Sequence, residues 1–103
     1  MRRDSKPEIE VPRKASFAPA EGDDRATGWI VKLSVVGVEI ESLQPPAVGS
    51  DVVVWTELVA GEGAVTLRGR VQWARPSQFA VQFGPMGARE TSAVVRASRR
   101  SAA

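Results

Sequence analysis

Residues 64 to 83 constrain this chain more than any other stretch. Val65, Leu67, Gly69, Val71 and Trp73 alternate with Thr66, Arg68, Arg70 and Gln72. After Arg75-Pro76-Ser77 the alternation resumes, with Phe79, Val81 and Phe83 against Gln78, Ala80 and Gln82. A period of two puts each set on one face of a strand, and two such runs joined by a short turn make an antiparallel hairpin. Trp73, Phe79, Val81 and Phe83 are therefore expected in the core, with Arg68 and Arg70 together on a solvated face. A hairpin is not stable alone, so the rest of the chain must supply strands that cover its apolar face.

The neighbouring segments do so. In Thr27 to Leu33, Trp29, Val31 and Leu33 fall on one face and Ile30 and Lys32 on the other, while Val36, Val38 and Ile40 alternate with Gly37, Glu39 and Glu41. These read as two strands joined by a tight turn. Ser42 to Ser50 holds Pro45, Pro46 and Gly49 and cannot continue a ladder, because proline lacks the N–H donor. Asp51 to Leu58 is β-branched and aromatic and reads as a strand, followed by a turn at Gly61-Glu62-Gly63. Glu8 to Phe17 is a candidate first strand that Pro12 confines to an edge, and Ala18 to Asp24 a turn. Trp29 and Trp55 are expected in the core or at a barrel end. Residues 87 to 99 suit a short helix whose stripe is Thr91, Val94, Val95 and Ser98. The organisation expected is a basic arm (1–7), one domain (8–97) and a frayed basic tail (98–103).

Side-chain chemistry narrows the function. The 103 residues include no His, Cys or Tyr, so a Ser-His-Asp or Cys-His pair and an imidazole or thiolate metal site are excluded. An enzyme is not expected, nor a cofactor. With no Cys there is no disulfide framework, and no apolar stretch is long enough to span a bilayer or make a signal peptide, so a soluble cytoplasmic module is expected. The pI of about 9.7 suggests nucleic acid until the charge is located. Residues 1–14 carry five basic side chains against three acidic, and residues 89–103 four against one, whereas residues 15–88 carry five against eight. The folded centre is acidic and the ends are basic.

The turn Lys32-Leu33-Ser34-Val35-Val36-Gly37, leading into Val38-Glu39-Ile40, and the later pair Arg68-Gly69-Arg70-Val71-Gln72-Trp73 and Gln78-Phe79-Ala80-Val81-Gln82-Phe83 fall in an order that resembles PilZ domains. The resemblance covers roughly residues 8 to 97. It implies a mainly β fold, a six-stranded antiparallel barrel with a short C-terminal helix, and a role in bacterial second-messenger signalling as a receptor for cyclic di-GMP.

The family's ligand motifs are Arg-x-x-x-Arg in an N-terminal arm and Asp-x-Ser-x-x-Gly or Asn-x-Ser-x-x-Gly at the turn. Their chemistry suits the ligand. A guanidinium meets a phosphate, or guanine O6 and N7, through paired donors, and a carboxylate or amide accepts from guanine N1–H and N2–H₂. Carried onto this chain, Ser34 and Gly37 match. The acidic or amide position falls on Lys32, which has donors only, and a guanine edge left without its acceptor costs about 1–3 kcal/mol. Arg2 and Lys6 have the arm spacing with Lys in the second place, and Arg3 adds charge beside them. An ammonium there keeps attraction for phosphate but loses the bidentate geometry.

Each of these residues also has a plainer role. Arg2, Arg3 and Lys6 suit a solvated tail as well as a clamp, and Ser34 and Gly37 suit any tight turn. Three functions follow. The first is a module that binds cyclic di-GMP through Arg2, Arg3, Lys6, Lys32, Ser34 and Gly37 and signals to a protein partner. The second is a degenerate adaptor that has lost the ligand and acts by protein contact. The third, a nucleic-acid-binding barrel, is opposed by the acidic centre and by polar strand faces without aromatic residues.

Overall fold

The structure, a computed structural model, describes residues 13–22 and 24–102, the side chains of 100–102 excepted. Six strands, β1 (Arg13–Pro19), β2 (Ala26–Leu33), β3 (Gly37–Glu41), β4 (Asp51–Thr56), β5 (Val65–Arg75) and β6 (Gln78–Phe83), precede one helix, α1 (Ala88–Ala102). All pairings are antiparallel, and the order β1-β2-β3-β6-β5-β4 closes on itself because β1 pairs with both β2 and β4. The expected six-stranded barrel and C-terminal helix are therefore present. Residues Glu8 to Pro12 of the expected first strand lie outside the described residues; its described part extends to Pro19, two residues beyond Phe17.

Inward side chains fill the barrel. Phe79, Ile40, Leu67, Val54 and Val71 are almost fully buried. The rings of Phe17 on β1 and Phe79 on β6 meet edge to face, with centroids 4.8 Å apart. These strands stand opposite one another in the barrel order, so the contact crosses the lumen. Buried Thr56 donates its hydroxyl to Lys14 O at 3.0 Å, tying β4 to β1 at the closing seam.

Two breaks in period change which residues face inward. In β5 the register to β6 shifts between Val71 and Trp73: Val71 pairs with Val81, Trp73 with Ala80 and Ala74 with Phe79. The extra residue turns Trp73 to the outer wall and gives its expected inward place to Ala74, which packs on the core. The loop leading into β4 holds the bulge, since Gly49 N donates to Val71 O at 2.9 Å and Val71 N to Ser50 O at 3.0 Å. In β2 a shift between Ile30 and Lys32 lets both Ile30 and Leu33 point inward, leaving Trp29 and Val31 each 47% exposed. The expected grouping of Trp29, Val31 and Leu33 on one face is thus corrected. Trp55 also faces out, half-buried beneath the Arg25 guanidinium at 3.9 Å. Phe17 and Phe79 lie inside and Phe83 packs against the core cluster, whereas all three Trp occupy the wall.

The helix covers one end of the barrel with Ala93, Val94 and Ala97, packing against β2 and β5. That stripe differs from the expected Thr91, Val94, Val95 and Ser98, because small alanines let the helix approach closely where β-branched Val95 stays half-exposed. The helix continues to Ala102, through positions expected in a tail. A clasp fixes it to the β4–β5 loop. Gly61 and Gly63 adopt φ of 83° and 81°, which glycine tolerates, and between them Glu62 accepts from Arg96 at 2.8 and 2.9 Å while Arg89 donates to its carbonyl at 3.2 Å.

Two outcomes are expected. Phe79→Ala should lower unfolding free energy by about 3–5 kcal/mol in urea titration, as the lumen loses its ring. The Arg96 hydrogen bonds, aided by the charges of Arg96 and Arg89, hold the Glu62 carboxyl below its ordinary range. Its folded value is the lower one, so the clasp stabilises above the unfolded value and fades as pH falls through the folded one. Glu62→Gln should melt earlier than wild type at neutral pH and together with it in acid, in low-salt thermal scans.

Candidate functional site

The turn between β2 and β3 is held by its own backbone and by the Ser34 side chain. Ser34 N donates to Gly37 O at 2.9 Å, Val36 N donates to Ser34 Oγ at 3.2 Å, and Phe83 N donates to Val36 O at 2.9 Å, which fastens the turn to β6. Ser34 keeps a hydroxyl proton to donate outward. Gly37 has a packing reason of its own, since a Cβ there would run into Val81 O. Glycine is therefore needed at 37 by the barrel itself.

Beside this turn the outer wall is concave. A groove of about 430 Å³ is lined by Lys32, Ser34, Val36, Gly37, Glu39, Gln72, Trp73, Ala80 and Gln82. The strand registers explain its form. Trp73 pairs with Ala80, Ala80 with Glu39, and Glu39 with Lys32, so one cross-strand row runs over β5, β6, β3 and β2. Directly opposed residues share a face, so all four belong to the outer wall. The small Ala80 forms a low floor between the Trp73 indole and the Glu39 carboxylate. Arg75 lies over the indole at 4.5 Å from its centroid, a cation–π contact that steadies the ring. The next row contains Arg70, Gln82 and Gly37, with Gln72 Nε2 donating to Gln82 Oε1 at 2.5 Å.

Gln82 also borders a second groove of about 520 Å³, lined by Val53, Arg68, Arg70, Phe83, Gly84 and Pro85. There Arg70 Nε donates to Asp51 Oδ1 at 3.2 Å across an exposed pair. A third hollow, about 550 Å³, lies around Thr27, Trp29, Leu43, Gln44 and Ser77.

Of the residues singled out in the sequence, Lys32, Ser34 and Gly37 come together at one groove. Arg2, Arg3 and Lys6 lie outside the described residues. Trp73, assigned to the core from its alternation, lines this groove instead, and Glu39, Gln72 and Gln82 join it unforeseen. Their outward phase was visible in the sequence, but their meeting depends on cross-strand register and on the β5 bulge, which alternation does not report.

A family model for the PilZ domain matches residues 2–100. The chain belongs to the PilZ domain family. That family is one of cyclic di-GMP receptors. The crystal structure of the PilZ domain of CeSA from a cellulose-synthesizing bacterium is similar, with a TM-score of 0.70 and 21% identity, covering 85% of this chain and 90% of that one. The inhibitor of motility MotI/DgrA of Bacillus subtilis is also similar, with a TM-score of 0.67 and 12% identity over 87% of this chain; this chain spans 46% of its length. No curated protein matches. At these identities the two structures show the fold alone. Among the described residues, no helix of this PilZ domain is long and apolar enough to cross a membrane.

Gly37→Ala should destabilise the PilZ barrel by about 1–3 kcal/mol in ligand-free urea titration, because β3 must move from β6 to admit the methyl group. Ser34→Ala, on the exposed turn, should change stability by less than about 0.5 kcal/mol.

Proposed function

We propose that this PilZ domain is a non-catalytic cytoplasmic signalling module that binds cyclic di-GMP on its outer wall and passes the signal to a protein partner. The observation that carries the reading is the convergence of Lys32, Ser34 and Gly37 on one groove next to an aromatic ring and two side-chain amides. Ser34 offers a hydroxyl, Lys32 supplies a cation for a phosphate, and Gly37 lets the turn that carries them sit tightly against β6. The basic arm, with Arg2, Arg3 and Lys6, supplies further phosphate contacts, and ligand held between arm and wall would present a changed surface to the partner.

A second reading has specific support. Lys32 stands where the family motif has an acceptor, Lys6 where it has a second Arg, and the fold is shared with a protein named for an action on motility. Trp29 and Val31 are about half exposed and Val36 and Leu43 more so, a set of large apolar side chains suited to protein contact. On that reading the domain is an adaptor that does not respond to cyclic di-GMP. Nucleic acid is a poorer partner for a barrel whose centre is acidic.

Isothermal titration of the whole chain with cyclic di-GMP separates the two. The receptor reading expects saturable binding that weakens at least about tenfold in Arg2→Ala, as one charge-assisted phosphate contact is lost. Absence of heat at high micromolar ligand would sink it and leave the adaptor.

A further inference from the structure

With Lys32 in the turn, a guanine bound at the groove lacks the acceptor that the turn motif would give it, and the structure holds a carboxylate in a position to replace it. Glu39 is directly opposite Lys32 in the β2–β3 register and is the one carboxylate among the described residues that lines the groove. The other nearby acids do not line it. Asp51 accepts from Arg70 in the adjoining groove, and Glu41 lies one row further along β3, opposite Trp29 and Gln78.

The geometry points to Glu39 as the acceptor for the guanine Watson–Crick edge, with Trp73 as the platform at the opposite end of the same base. This rests on the receptor reading above and adds the residues that would make it specific for guanine. Trp73 and Glu39 are two strand spacings apart, roughly 10 Å, with only Ala80 between them. A planar base lying over Ala80 reaches the indole with one side and presents N1–H and N2–H₂ to the carboxylate with the other. An adenine offers no such pair of donors at that edge, so the carboxylate selects guanine. The amides of Gln72 and Gln82, which carry both donors and acceptors, flank the base and can meet O6 or N7. Lys32 then serves the phosphate beside the base. Relative to the family motif, the acceptor has moved across the ladder from β2 to β3, and the cation has taken its place.

The test compares cyclic di-GMP with cyclic di-IMP, whose hypoxanthine bases lack the N2 amine, in calorimetric titrations of wild type, Glu39→Ala and Glu39→Gln. Wild type should favour cyclic di-GMP by at least about tenfold, the share of one hydrogen bond to a charged acceptor. In Glu39→Ala that preference should collapse to near unity, and in Glu39→Gln it should fall between the two. The ratio is insensitive to a general weakening of the fold, which reduces both affinities together. A wild-type preference that survives in Glu39→Ala overturns the assignment while leaving the receptor reading intact. Failure of the wild-type chain to bind either ligand overturns both.

Discussion

The meeting of Phe17 and Phe79 across the lumen is the contact on which the rest of the molecule depends. Six strands make a narrow barrel, and two phenyl rings from opposite strands, with Ile40, Leu67 and Val71 around them, occupy its section. Among the described residues, these inward side chains pack into one core cluster. At one end the helix adds Ala93, Val94 and Ala97. Whatever this domain recognises must therefore be met on the outside of the wall or by segments laid over it, and the chemistry of recognition is the chemistry of the outward-facing rows.

Those rows owe their content to a single inserted residue. Without the bulge after Val71, Trp73 would point into the barrel and compete for space with Phe79. With it, Ala74 takes the inward place and the indole joins Ala80, Glu39 and Lys32 on the wall. Gly49 and Ser50 hold the bulged backbone through Val71, so the proline-containing loop, remote in function from the groove, fixes how its aromatic side is presented. The same division explains the aromatic inventory. Phenylalanine, without a polar atom, fills the lumen, while indole rings, each with an N–H to satisfy, stay at the surface where Arg25 and Arg75 lie over two of them.

Much of this was legible in the residues. The β5–β6 hairpin, the β2–β3 turn and the loop at Pro45 and Pro46 follow from period-two patterning and from the conformational limits of proline, which are local. The C-terminal helix follows from its own stripe of residues, and the closure of six strands into a barrel from family resemblance laid over that pattern. Alternation does not give the phase of a strand across a bulge, which is why it misplaces Trp73 and Trp29. The buried stripe of the helix is misplaced too, since Ala93 and Ala97 are buried for their small size rather than their hydropathy. For the site, Ser34 and Gly37 were readable as a motif, but Glu39 was one acidic residue among several on outward positions until the register set it opposite Lys32.

The proposed ligand position lies on the wall between Trp73 and Lys32. The three tryptophans, placed on three different parts of the outer wall, are built-in reporters of it. In a ¹H–¹⁵N correlation spectrum recorded during titration with cyclic di-GMP, the account predicts that the Trp73 indole N–H, the side-chain amides of Gln72 and Gln82 and the backbone amide of Gly37 shift, while the Trp29 and Trp55 indoles stay in place. Shifts centred on the Trp29 or Trp55 indole, with Trp73 unmoved at saturation, would contradict it.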